Sequence, residues 1–235
     1  MAPRDFEDHC WNDVVSPEIL EVYKSYHREI FVGQNPALLA IDLYNSAYQG
    51  NPQKYPHELI EKYPSSCGKY AWNAVEPTKN LFSACRQAGL PIIYVTGSVR
   101  KGRVRSTKRK MGDDVGTKMM DIHPAFSVQD GDILIRKERA SAFHSTPLIA
   151  HLTRLGINSL IVCGESTSGC VRASVVDAYS NGYHVTIAEE CVFDRSLLSH
   201  KVNLFDMHHK YADVMVLKDI IAHLETTYSR NKAAE

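Results

Sequence analysis

Leu160-Ile161-Val162-Cys163-Gly164-Glu165-Ser166-Thr167-Ser168-Gly169-Cys170-Val171-Arg172 changes character halfway along. The run from Ser159 to Cys163 is apolar and of strand type, Gly164 breaks it, and small residues form a turn. Val171, Ser174, Val175 and Ala178 then recur at helical spacing. A strand-to-helix elbow of this kind puts Cys170 at the carboxyl end of a sheet and at a helix N-terminus. Unpaired N–H groups and the positive end of the helix dipole there favour thiolate over thiol, and a thiolate is a nucleophile at neutral pH. A cysteine beside an apolar run can equally be an inert core residue. The elbow alone leaves both readings open.

Outward from the elbow the chain alternates strand and helix. Residues 37–43 form a continuous apolar run broken only by Asp42, the pattern of a parallel strand covered on both faces. Asp42 either caps the following turn or faces a site as a base. A helix over 73–88 leads to a strand over 91–96, and a further strand over 132–137 ends in Lys137. Thr146 caps, and Pro147 opens, a helix reaching about residue 155. Beyond the elbow come a helix over 170–180 stopped by Asn181-Gly182, a strand over 183–188, a helix over 200–210, a short strand over 213–217 and a closing helix over 218–228. Six strands with helical crossovers predict an α/β fold: three layers, α/β/α, around a six-stranded, mainly parallel sheet. The domain is expected over 36–235, after an N-terminal extension (residues 1–15) able to pack on a neighbouring subunit and a helix over 17–29 capped by Ser16. In such sheets the ligand sits outside the carboxyl ends of the strands, where Asp42, Lys137 and Cys170 all fall.

Composition narrows the function. Lys+Arg and Asp+Glu both number 27, so nothing advertises nucleic acid or an anionic membrane as partner. The first residues lack the apolar core of a signal peptide, and six scattered cysteines without a C-x-x-C pair fit reduced thiols, so a cytoplasmic location is expected. Residues 44–70 look like a long Tyr/Pro/Ser/Gly-rich loop of the kind that serves a site or an interface. His57 stands there without a second ligand at metal spacing, so no metal is expected. The basic run over 97–113 has no interleaved aromatic residues and reads as a solvated loop or subunit contact.

Together these residues resemble the isochorismatase-like cysteine hydrolase family. The matching pieces are Ala40-Ile41-Asp42-Leu43, the stretch Ile135-Arg136-Lys137 to Ser141-Ala142-Phe143, and Gly164 to Val171 with Asp177-Ala178 and Gly182-Tyr183 after it. Ser168-Gly169-Cys170-Val171-Arg172 and Phe193-Asp194-Arg195 are most similar to the branch of N-carbamoylsarcosine and maleamate amidases. The resemblance implies Cys170 as nucleophile, Asp42 as base, Lys137 as their orienting partner, a cis peptide between Glu165 and Ser166, and an oxyanion hole from the N–H groups of Ser166 and Cys170. It implies Arg195 as reader of a substrate carboxylate, an arginine that can also serve an ordinary helix-cap or interface ion pair, with Thr167, Phe143, Tyr44 and Tyr48 as candidates to line the pocket. It further implies a homotetramer with no cofactor. Two departures matter: the loop after Asp42 lacks the metal ligands of the nicotinamidase branch, and isochorismatases themselves carry no cysteine at the elbow. Glu165 stands where a small or apolar residue is expected. The expected activity is ammonia release from a small linear amide or N-carbamoyl compound bearing a carboxylate. The alternatives are an amidase for another compact amide (a ureido acid, a lactam or biuret) and a non-catalytic binding or scaffold member.

Overall fold

A computed structural model describes residues 5–100, 102, 107 and 117–228. Six strands form one sheet, β1 (Pro36–Ile41), β2 (Ile92–Gly97), β3 (Ile133–Lys137), β4 (Ser159–Glu165), β5 (His184–Phe193) and β6 (Asp213–Met215), in the order β3-β2-β1-β4-β5-β6. All five pairings are parallel. Every residue of β1 and β4 is buried, which explains the apolar runs over Pro36–Ile41 and 160–163, and β4 continues through Gly164 to Glu165.

Strand residues alternate between two cores. Leu39, Ile41 and Val162 pack with Leu148 and Leu152 of α5 (Leu148–Arg154), Val175 and Ala178 of α6 (Arg172–Ser180), and Leu204 and Phe205 of α7 (Leu197–Lys210). Leu38, Ala40, Ile161 and Cys163 face the opposite way, onto Ala71 of α3 (Gly68–Asn73), Leu81 and Phe82 of α4 (Val75–Gln87), and Ile220 and Leu224 of α8 (Leu217–Tyr228). Thr146 shapes the start of α5, its hydroxyl accepting from the Leu148 N–H at 3.3 Å.

Three sequence expectations change, and a fourth lies mostly outside the described residues. The stretch over 44–70 is not an open loop: it holds a 3₁₀ turn (Asn45–Tyr48), the short helix α2 (Pro56–Leu59) and the start of α3, and His57 stacks on Tyr55. The first helix, α1 (Pro17–Tyr23), is shorter than the predicted 17–29 and gives way to a 3₁₀ turn at Lys24–Tyr26, and the Ser16 side chain makes no capping bond to its backbone but bonds the Glu18 side chain. β5 runs five residues past Ala188, through Glu189 and Glu190, because a register shift against β4 lets Val192 and Phe193 pair with Gly164 and Glu165. Of the basic residues over 97–113 only Arg100 is described, paired with Glu138 at 2.8 Å; the rest of that expectation lies outside the described residues.

The N-terminal segment packs on its own chain. Trp11 is fully buried in the α7-side core, and its indole N–H donates to Glu7 at 3.1 Å. Glu7 also receives His209 at 2.9 Å and His27 at 3.1 Å, while Glu189 receives the Cys10 N–H and pairs with His9. His208 lies between Phe6 and Trp11, where burial pushes it down to about 2, so it contributes as a neutral ring. Among the described residues no helix is long and apolar enough to cross a membrane.

Candidate active site

The carboxyl ends of β1, β3 and β4 bring three side chains together. β1 hands over to Asp42, whose N–H still pairs with Val95 but whose φ of 53° turns the chain away from the sheet. That left-handed conformation is one Asp tolerates better than most residues, and such outliers gather where a side chain must be aimed. Lys137 closes β3 and reaches past β2, its Nζ lying 2.7 Å from Asp42 Oδ2 and 3.2 Å from Cys170 Sγ. Asp42 is therefore an ion-pair partner and not a turn cap. Its Oδ1 is buried without a hydrogen-bond partner.

Cys170 enters on a π-helical turn (Thr167–Val171) between β4 and α6, and is partly exposed. Gly164 makes the elbow possible: its φ is +112°, and a Cβ there would lie 1.8 Å from the Ile41 carbonyl oxygen. The Glu165–Ser166 peptide is cis. The Ser166 carbonyl accepts from the N–H groups of Gly169 and Val171, and Asp194 fixes the turn from outside by accepting from the Ser168 N–H at 2.8 Å and its hydroxyl at 2.7 Å.

The charges differ from the sequence expectation of a helix-stabilised thiolate. Burial raises the Cys170 thiol, the Asp42 carboxylate raises it further, and Lys137 opposes only in part. Burial also raises Asp42 above its ordinary 3.8, against the pull of Lys137. Lys137 is itself raised: burial lowers it, but Asp42 and Cys170 more than compensate. Burial and the neighbouring Asp42 thus both disfavour a free Cys170 thiolate, and Lys137 stands between the two groups as their cation.

A second group borders the first. Glu165, 2% exposed, accepts from Tyr44 Oη at 2.6 Å and Cys67 Sγ at 3.1 Å, and pairs with Arg195 Nη2 at 3.2 Å. Arg195 Nη2 also donates to the Ser65 carbonyl at 2.9 Å, and its Nε is buried without a partner. The structure places Thr167 in the core with its hydroxyl on His200 Nδ1 at 2.8 Å, Phe143 against Tyr183, and Tyr48 among His123, Trp72, Phe126 and Phe193. Sequence reasoning missed Cys67, Asp194 and His200. Asp194 was within reach, because it lies beside Arg195 in the quoted Phe193-Asp194-Arg195; Cys67 and His200 carried no local signal.

An α/β domain with a thiol, a carboxylate and an ammonium at its strand ends has the form of a hydrolase. Residues 36–219 match the Isochorismatase domain model, and the chain belongs to the isochorismatase family. A maleamate amidohydrolase of Pseudomonas putida is 30% identical over 204 residues, covering 84% of this chain and 90% of that protein. An N-carbamoylsarcosine amidase of an Arthrobacter species is 29% identical, over 86% of this chain and 76% of that protein. Among solved structures, an isochorismatase family protein from Burkholderia thailandensis is 26% identical with a TM-score of 0.69, covering 84% of this chain and all of that one.

Proposed function

We propose that the chain is a cysteine amidohydrolase that releases ammonia from a small linear amide or N-carbamoyl compound carrying a carboxylate. The observation that supports it is the position of Lys137 Nζ, 2.7 Å from Asp42 and 3.2 Å from Cys170. Asp42 takes the thiol proton, and the thiolate attacks the amide carbonyl. The N–H groups of Ser166 and Cys170 stabilise the oxyanion, a contribution of about 3 kcal/mol per donor. Asp42 returns the proton to departing ammonia, then activates the water that hydrolyses the thioester. Lys137 holds both reacting groups and offsets the negative charge that passes between them. The relatives' names supply the substrate class, and Arg195 is its reader. The same proposal includes a homotetramer in the cytoplasm, without metal or cofactor.

Ammonia release from N-carbamoyl amino acids, maleamate, neutral primary amides, nicotinamide and biuret, with EDTA present, tests this reading. Turnover of the acidic members supports it, whereas silence across the panel with an unreactive Cys170 would favour a scaffold. Because the base must be ionised, activity falls as pH drops through the Asp42 pKa. That pKa is raised, so the acid limb of kcat/KM is expected above 3.8, and a limb at or below that value would remove Asp42 from the role. Arg195→Ala is expected to raise KM for acidic amides about tenfold or more, the size of a charge-assisted hydrogen bond, with a much smaller effect on neutral amides. Equal losses for both would show that Arg195 only supports the fold.

A further inference from the structure

Glu165 has no part in the reaction above, yet it is a buried carboxylate bordering the reacting groups. Three donors converge on it from distant parts of the chain: Tyr44 Oη at 2.6 Å, Cys67 Sγ at 3.1 Å and Arg195 Nη2 at 3.2 Å. This leaves the guanidinium in an uneven state. Nη2 is taken by Glu165 and the Ser65 carbonyl, while Nε is buried and unpartnered. A buried N–H without an acceptor is destabilising, and an incoming acceptor relieves that cost. The charge of Arg195 is meanwhile matched by a carboxylate in a poorly solvated place, where pairing is strong.

We propose that Glu165 is a positioning residue that holds Arg195 by Nη2 and cancels its charge, so that the site reads a substrate acceptor by hydrogen bonding and not by net positive charge. The inference rests on the amidohydrolase reading and deepens it. A site of this kind favours a carboxylate, the stronger acceptor, but less exclusively than an unpaired arginine would, and neutral amides are bound more weakly. Glu165 sets the balance between the two classes.

Two reagents that attack Cys170 and differ only in this respect test it without knowledge of the substrate: iodoacetate bears a carboxylate, iodoacetamide a carboxamide. The readout is the ratio of their alkylation rates at Cys170, followed by peptide mapping and divided by the ratio for a free thiol. Glu165→Gln keeps the shape and removes the charge. It is expected to raise the iodoacetate-to-iodoacetamide ratio about tenfold, and Arg195→Gln to lower it, since each exposes the other's charge at short range. The double variant E165Q/R195Q, which buries no unpaired charge, is expected to return near the wild-type ratio and serves if E165Q does not fold. A ratio unmoved by E165Q, or a double variant matching R195Q, would overturn the proposal. A merely structural Glu165 would change both rates together and leave the ratio alone. Wild-type silence on the amide panel with the ratios shifting as stated would remove the substrate reading and keep the role of Glu165. A Cys170 that neither reagent modifies would overturn both.

Discussion

Cys170→Ser is expected to lower kcat by on the order of 10⁴ or more, because the hydroxyl is a far weaker nucleophile than the thiolate and the remaining groups act only through it. The replaced atom is small and Cys170 is partly exposed, so the fold should be kept, with a melting temperature within a few degrees of wild type. The geometry makes the prediction sharp. Lys137 Nζ lies 3.2 Å from Sγ, and Asp42 raises the thiol, so the proposed nucleophile, base and cation are one electrostatic unit. Ammonia release measured with and without the substitution decides the matter. Retained turnover would transfer the nucleophile's role to another group or to water.

The second large effect is on stability and falls on Gly164. Ile41 and Gly164 are paired across β1 and β4, and a Cβ at position 164 would sit 1.8 Å from the Ile41 carbonyl oxygen, with the backbone at a φ of +112° that side chains rarely adopt. Backbone is on both sides of the clash, so no rotamer relieves it. Gly164→Ala is therefore expected to cost more than about 4 kcal/mol, seen as insoluble protein or a melting temperature lowered by roughly 10 °C or more. Gly182→Ala is the control: its φ is +85° but a Cβ there meets no atom within 4 Å, so its loss should be about 1 kcal/mol. Equal melting temperatures for the two variants would refute the steric argument.

Both predictions concern the elbow, the part of the chain that its own sequence describes best. A buried parallel strand has to be apolar throughout, and a tight strand-to-helix turn needs small residues, so β1, β4 and the turn before α6 leave local patterns. Asp42 and Lys137 stand out because they are charged residues at the ends of such runs. Glu165, Tyr44 and Arg195 each stand out singly, but their grouping leaves no comparable trace. The donors Tyr44 and Cys67 lie 121 and 98 residues from Glu165, and nothing local announces a contact made across the fold. The N-terminal segment was illegible for another reason: Phe6 and Trp11 are isolated apolar residues among charged ones, without period, although one of them is wholly buried. The thiolate expectation followed from a helix N-terminus considered alone, whereas burial and the neighbouring Asp42 both push the Cys170 thiol up. The run through Glu189-Glu190 concealed the far half of β5, since two adjacent acidic residues resemble a strand's end.

The anchoring of Trp11 and Glu7 has a consequence for the order in which the molecule is assembled. Glu7 bonds His209, a partner 202 positions later, and Cys10 bonds Glu189, 179 positions later. During synthesis these early residues emerge long before the surfaces they cover exist, so Trp11 must wait exposed until α7 has left the ribosome. Contacts of such separation form late and slowly, because the chain entropy of closing the loop is lost before the contact stabilises anything. The segment around Trp11 is therefore expected to be secured late on the α7-side core. Until then a face of that core is open to other chains and to chaperones, and the risk of misassembly is concentrated in the interval between the synthesis of residue 11 and that of residue 209.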